Sequence, residues 1–309
     1  MLKIGVQSYG WYEEKNPEAS FAFIKSCGFE TVDFNIDTYI PVNEMAKQPA
    51  GPYRSFFDQT EEELLAFFAP MKEAAEKQGI TFSQLHGPDK LWFPERSELN
   101  EYLIGVFEKC MAVCAFLGAP ALVVHPIQRP TKKEDFACNM AAYRRLIPAA
   151  KKYGVKICLE NLFVHRGGMA IEAPVSDGAE ACLYIDTLNE MAGEECFGFC
   201  LDVGHAVLLR RRLGDFVRAL SHRLTILHLH ENDGRFDEHS LPYTGVCDWS
   251  GTRGCDWDGL VEALGEIGYR GDLCFETFRL NSYFPRRVWP EMYRLLSAIG
   301  RDWAERILR

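Results

Sequence analysis

Short apolar runs rich in β-branched and aromatic residues alternate along the chain with longer stretches whose apolar positions recur at three-and-four spacing. The runs Lys3–Ser8, Thr31–Ile36, Thr81–His86, Ala121–His125, Lys156–Glu160, Gly198–Asp202, Thr225–His230 and Asp272–Glu276 read as strands. The spacing predicts helices over Glu61–Gln78, Leu99–Leu117, Lys133–Tyr153, Ala179–Ala192 and Trp257–Gly268. Glycine marks several helix ends just before a strand, as in Gln78-Gly79-Ile80 and Tyr153-Gly154-Val155. Strand–helix units follow one another with no antiparallel hairpin signal, which predicts a parallel sheet.

Two architectures fit that alternation, an open doubly wound sheet and a closed (β/α)8 barrel. The nucleotide-binding open sheet carries a Gly-rich turn after its first strand. Here the first strand runs into Gln7-Ser8-Tyr9-Gly10-Trp11 instead. Eight units in 309 residues match a TIM barrel of ~250 residues plus insertions. The α/β class with a single (β/α)8 TIM barrel over residues 1–309 is therefore expected. The segments after the second, fifth and seventh strands are long, and long βα loops usually serve the active site.

Composition narrows the function. With 34 Lys+Arg against 44 Asp+Glu the net charge is −10, which disfavours nucleic acid as the main partner. Cys110–Val124 is the most apolar stretch, but Gly118 and Pro120 interrupt it short of a bilayer span of ~20 residues. The N-terminal residues lack a signal-peptide pattern. The 11 cysteines sit mostly in apolar segments, as buried free thiols in a reducing compartment would. A cytoplasmic protein is expected.

Chemistry gathers at the strand ends. The carboxyl ends of strands three to eight carry His86, His125, Glu160, Asp202 with His205, His228 with His230, and Glu276. A barrel brings those ends into one ring. Glu160, Asp202, His230 and Glu276 supply three carboxylates and one imidazole, a donor set for a divalent cation. Three ionised carboxylates crowded together would repel one another strongly without one. Tyr9, Trp11, Tyr12, Trp92 and Phe93 follow strands one and three, and Trp249 and Trp257 lie in the seventh loop. These aromatic side chains suit both the wall of a sugar pocket and packing beneath long loops.

Leu159-Glu160-Asn161, Asp202-Val203-Gly204-His205, His230-Glu231-Asn232-Asp233, Asp237-Glu238-His239 and Phe275-Glu276-Thr277 resemble the motifs of the xylose isomerase-like TIM barrels. That superfamily holds ketose 3-epimerases, sugar phosphate isomerases and nucleases of the endonuclease IV type. The epimerase resemblance implies one metal on Glu160, Asp202, His230 and Glu276, with both glutamates exchanging protons and His205 touching substrate. The nuclease resemblance implies three zinc ions on those residues together with His86, His125, His205, Asp237 and His239. The ligand set alone leaves both open. Net charge and the Leu241-Pro242-Tyr243-Thr244-Gly245 stretch, which stands where the nucleases carry a Gly-rich loop, favour sugar chemistry. Arg166 departs from the ketose 3-epimerases, which hold a substrate-binding glutamate six residues past the position of Glu160.

The expected activity is a metal-dependent isomerase or epimerase of a small carbohydrate, with manganese or zinc, or else cobalt or magnesium. Glu160 and Glu276 would transfer the proton through an enediolate. His86, His125, His205, Asp237 and His239 would serve substrate or additional cations. A dehydratase or lyase on the same barrel, and a zinc phosphodiesterase for abasic DNA, are the alternatives. Relatives are often dimers or tetramers, so the resemblance implies a homo-oligomer.

Overall fold

The computed structural model describes residues 2–245 and 254–309. Its strands are β1 (Ile4–Gln7), β2 (Thr31–Asn35), β3 (Thr81–His86), β4 (Ala121–Val124), β5 (Lys156–Glu160), β6 (Phe163–Arg166), β7 (Met169–Glu172), β8 (Phe197–Asp202), β9 (Leu224–His228) and β10 (Leu273–Phe275). Eight of them pair in parallel in the order β10-β1-β2-β3-β4-β5-β8-β9. A parallel bridge from Leu229 to Phe275 joins the two ends of that order. Leu229 N–H donates to the Cys274 carbonyl at 2.9 Å and Glu276 N–H donates to the Leu229 carbonyl at 3.1 Å. The ring closes into a (β/α)8 barrel with helices between the strands, as the alternation predicts.

Strand parity positions the site. Ala121, Val123, Cys158, Cys200 and Ile226 form a small apolar cluster separate from the large core beneath the helices. Side chains two apart on a strand share a face. Continuing that inner face toward the carboxyl ends leads from Cys158 to Glu160, from Cys200 to Asp202, and from Ile226 to His228. An apolar plug thus floors a polar mouth.

The helices depart from the expected pattern at one proline. The predicted Lys133–Tyr153 helix is two helices, Lys132–Tyr143 and Ile147–Tyr153, joined by a 3-10 turn, with Pro148 near the start of the second. Proline lacks the N–H that the interior of a continuous helix needs, and it is tolerated in a first turn. The absence of a hairpin is also corrected. β6 and β7 pair antiparallel across Gly167-Gly168, whose φ angles are +60° and +80°. Two adjacent residues at positive φ make the tight turn that suits strand twist, and glycine takes that conformation readily. Ten of the cysteines carry free thiols. No helix among the described residues is long and apolar enough to cross a membrane.

Candidate active site

All nine predicted donors lie at the carboxyl mouth of the barrel. Glu160, Asp202 and His205 gather within reach of one ion, as do His86, His125 and Glu160, and as do His230, Asp237 and His239. Glu276 joins His86 and His228 in a further trio. The predicted quartet is thus shared out among these trios: Glu160 with Asp202, His230 with Asp237, and Glu276 with His228. His230 Nε2 lies 3.0 Å from Asp202 Oδ2, which links the first set to the third.

Three histidines are held in the same manner. His86 Nδ1 lies 2.9 Å from the Gly87 carbonyl, His205 Nδ1 2.9 Å from the Asn161 carbonyl, and His239 Nδ1 2.8 Å from the Glu276 carbonyl. A carbonyl accepts only, so each Nδ1 carries the proton and each Nε2 turns into the site. His86 Nε2 faces Glu160 at 3.6 Å, while those of His205 and His239 face Asp237 at 3.5 and 2.9 Å. Asn161 fixes the next strand by accepting from Asp202 N–H and donating to its carbonyl, both at 2.8 Å.

Glycine makes room for one candidate ligand. A Cβ on Gly204 would stand 1.9 Å from His230 Cε1. Only a residue without a side chain lets that ring lie flat against the turn after β8.

The electrostatics suit a cation. Burial raises the Glu160 carboxyl, but His228, His125 and His205 outweigh it and hold it well below the usual range. Burial likewise opposes ionisation of Asp202, and His205 and His230 overcome it. The histidines respond in kind: despite burial, Glu160 and Asp37 lift His86 to about 10, and Asp202 lifts His230 to about 9. Glu160 Oε2, His125 Nε2, His230 Nδ1 and Asp237 Oδ1 are buried without a hydrogen-bond partner. Orphaned acceptors and imidazoles converging on one mouth fit a divalent ion.

Sequence reasoning placed His228 at a strand end but gave it no role. It is fully buried at the centre of the site, with Nδ1 3.6 Å from Glu160 and 3.3 Å from Glu276, and Nε2 3.2 Å from Asp33. Asp33 on β2, itself held by Gln84 Nε2 at 3.3 Å, was not foreseen at all. The signal available was a charged residue inside the apolar run Thr31–Ile36.

The mouth opens into a cavity of about 300 Å³. Glu160, Glu276 and Asp237 line it, as do His86, His125, His205 and His239, and Gln7, Asn35, Asp37 and Asp89 complete its polar wall. Tyr9 and Phe278, packed edge to face at 5.5 Å, form its apolar side. Among the described residues its lining contains no lysine or arginine. Of the other aromatic candidates, Trp11 is buried and bonded to the Gln7 carbonyl, and Tyr12 packs on Phe34. Trp257 stacks on Trp303 at 4.6 Å and donates to Glu231. Trp249 lies outside the described residues. Arg166 is exposed on the β6–β7 hairpin.

A closed parallel barrel with buried carboxylates and histidines at its carboxyl mouth defines a (β/α)8 protein with a donor set that could hold a metal ion. The chain belongs to the xylose isomerase-like TIM barrel family, whose model matches residues 21–299. An uncharacterised protein of Sinorhizobium fredii is 31% identical over 35% of this chain and 33% of that protein. An uncharacterised protein of Methanocaldococcus jannaschii is 29% identical over 52% of each. The match therefore spans a third of the first relative and about half of the second. Inosose isomerase of Bacillus subtilis is 26% identical over 66% of this chain and 67% of that enzyme. Among solved structures, L-ribulose 3-epimerase superposes with a TM-score of 0.67 at 17% identity, covering 100% of this chain and 95% of that one. The 3-keto-D-glucoside 4-epimerase of E. coli gives 0.68 at 17% identity over 98% and 100%.

Proposed function

We propose that the chain is a divalent-metal-dependent isomerase or epimerase of an unphosphorylated sugar or cyclic polyol ketone. One observation carries this reading: Glu160 and Glu276 face the same cavity from β5 and from the end of β10, and both lie against His228. Two carboxylates on one small cavity can take a proton from one carbon and return one to it or to its neighbour.

Glu160, Asp202, His230 and Glu276 would hold the ion. When bound, it supplies polarisation of a carbonyl and acidifies the adjoining C–H. One glutamate then accepts that proton and the other donates. His86, His125, His205 and His239 orient hydroxyls, with Gln7, Asn35, Asp37 and Asp89 accepting or donating around the rest of the ring. A phosphate or carboxylate substituent would meet Asp37, Asp89 and Asp237 without a lysine or arginine partner among the described lining residues, which supports a neutral substrate.

The test is solvent exchange. Protein supplied with manganese and incubated with a panel of ketoses and inososes in D2O should incorporate deuterium beside the carbonyl, read by NMR. The product separates isomerase from dehydratase or lyase. Exchange with none of the panel would overturn the reading.

A second reading, a zinc phosphodiesterase, is favoured by the overlapping donor trios, which could hold more than one ion. The acidic cavity wall and the net charge of −10 weigh against a polyanionic substrate. Cleavage of an abasic duplex and a metal count of three per chain would establish it.

A further inference from the structure

We infer that the substrate extends beyond the ring held in the cavity and carries an apolar ring substituent, an aromatic aglycone, seated in an adjoining groove. The inference rests on the proposed sugar or polyol reading of the cavity and adds the second half of the ligand.

The groove has about 600 Å³, twice the cavity, and is contiguous with it: Asp89, His125 and His205 line both. Its walls are Trp92 and Phe93 from the loop after β3, Ile127 from the loop after β4, and Leu162, Phe163 and Val164 at the start of the β6–β7 hairpin. Phe163 packs edge-on against His205 at 5.0 Å, so one histidine borders the polar cavity on one side and the aromatic groove on the other. A ligand whose hydroxylated ring reaches His205 and His125 therefore directs its far substituent between Trp92 and Phe163.

The lining decides what that substituent is. Beyond the shared residues, the polar side chains of the groove are Lys90 and Gln128. Lys90 Nζ lies 5.8 Å above the Phe93 ring, beside Asp89 of opposite charge. A second sugar ring brings several hydroxyls that need partners, whereas an aryl group needs apolar faces and aromatic edges, which Trp92, Phe93 and Phe163 present. The groove also belongs to the same mouth, so it takes part of the substrate rather than a separate ligand.

Calorimetric titration of the manganese-supplied protein with methyl and phenyl β-D-glucopyranoside tests this. The expected result is binding of the phenyl compound about tenfold to a hundredfold tighter than the methyl one, the range for burying one aromatic ring. Trp92→Ala, checked by circular dichroism and melting, should remove most of that preference and leave methyl glucoside binding unchanged. Phe163→Ala, checked in the same way and lacking a ring that also packs on His205, should lower phenyl glucoside binding more than methyl glucoside binding. Equal affinities in the parent, absence of binding by both, or a preference that survives both substitutions would overturn the inference. So would a dimer in light scattering that Phe163→Ala dissociates, because a second copy would then occupy the groove. Phenyl-dependent binding without solvent exchange on any ketose would leave the groove assignment standing and remove the isomerase reading. Exchange on unsubstituted ketoses without phenyl preference would do the reverse.

Discussion

His228 Nδ1 lies 3.3 Å from Glu276 Oε2, and the opposite nitrogen of the same ring lies 3.2 Å from Asp33 Oδ2. One fully buried imidazole thus joins the floor of the barrel to a glutamate of its mouth, and its Nδ1 also reaches Glu160 at 3.6 Å. Removing one partner of a buried charged cluster leaves the others unpaired and typically costs ~3–5 kcal/mol. His228→Ala should therefore lower the unfolding free energy of the metal-free protein by roughly that amount, read from denaturant titration. A parent-like midpoint and slope would show that the three carboxylates do not depend on the ring.

Gly204 gives a second expectation. With alanine there, the new methyl would overlap the His230 ring, and the ring must leave the Asp202 side of the site. The fold should survive, because the clash is with a side chain at the mouth and not with the barrel wall. Loss of one ligand should weaken metal binding by at least about tenfold, on the scale of disturbing the shell around a ligand. Elemental analysis after dialysis against graded chelator measures this, and unchanged metal retention would count against His230 as a ligand.

The barrel was legible because its signals are local and repeated: apolar runs of strand length, helical spacing between them, and glycine at the helix ends. The donors were legible for the same reason, since Glu160, Asp202 and Glu276 each interrupt or end an apolar run. What escaped depends on tertiary placement. Asp33 interrupts an apolar run as the donors do, but its pairing with His228 becomes apparent only when closure of the ring brings β2 and β9 around one barrel interior. Pro148 and Gly167-Gly168 were different, because the sequence signal was present. The proline divides a helix whose period runs on through it, and the two glycines mark a hairpin inside a segment read as a long βα loop.

The histidines predict an opposite pH response with and without metal. Carboxylates outweigh burial and raise His230 from 6.5 to about 9 and His86 to about 10. A raised pKa contributes stability that is fully present below the unfolded value near 6.5 and is lost as pH climbs through the folded one. The melting temperature of the metal-free protein should therefore fall between pH 7 and pH 10. Metal ligation needs the unprotonated ring, so binding expels protons and strengthens over the same window. The thermal gain on adding manganese should grow with pH. Glu160 and Asp202, held low, give stability that is lost only under strongly acid conditions. Scanning fluorimetry with chelator and with manganese measures both slopes, and a metal-free melting temperature that rises toward pH 10 would contradict the protonated histidines.

The proton-transfer role assigned to Glu276 can be separated from its role as a ligand. Glu276→Gln keeps an oxygen that His228 Nδ1–H can reach and that can face the ion, but it removes the carboxylate. An amide is the poorer ligand, so metal affinity should drop, and excess manganese should restore occupancy. General acid–base groups contribute ~10²–10⁴-fold to rate, so the refilled variant should turn over more slowly by about that factor. Its KM should change far less, because the cavity wall made by Gln7, Asn35 and Asp37 is untouched. Deuterium incorporation beside the substrate carbonyl should slow in proportion to turnover if Glu276 removes the proton. If Glu160 removes it and Glu276 only returns one, exchange persists while product formation is lost. Exchange and turnover both at the parent rate in a fully loaded variant would leave Glu276 as a ligand alone and shift the chemistry to another base.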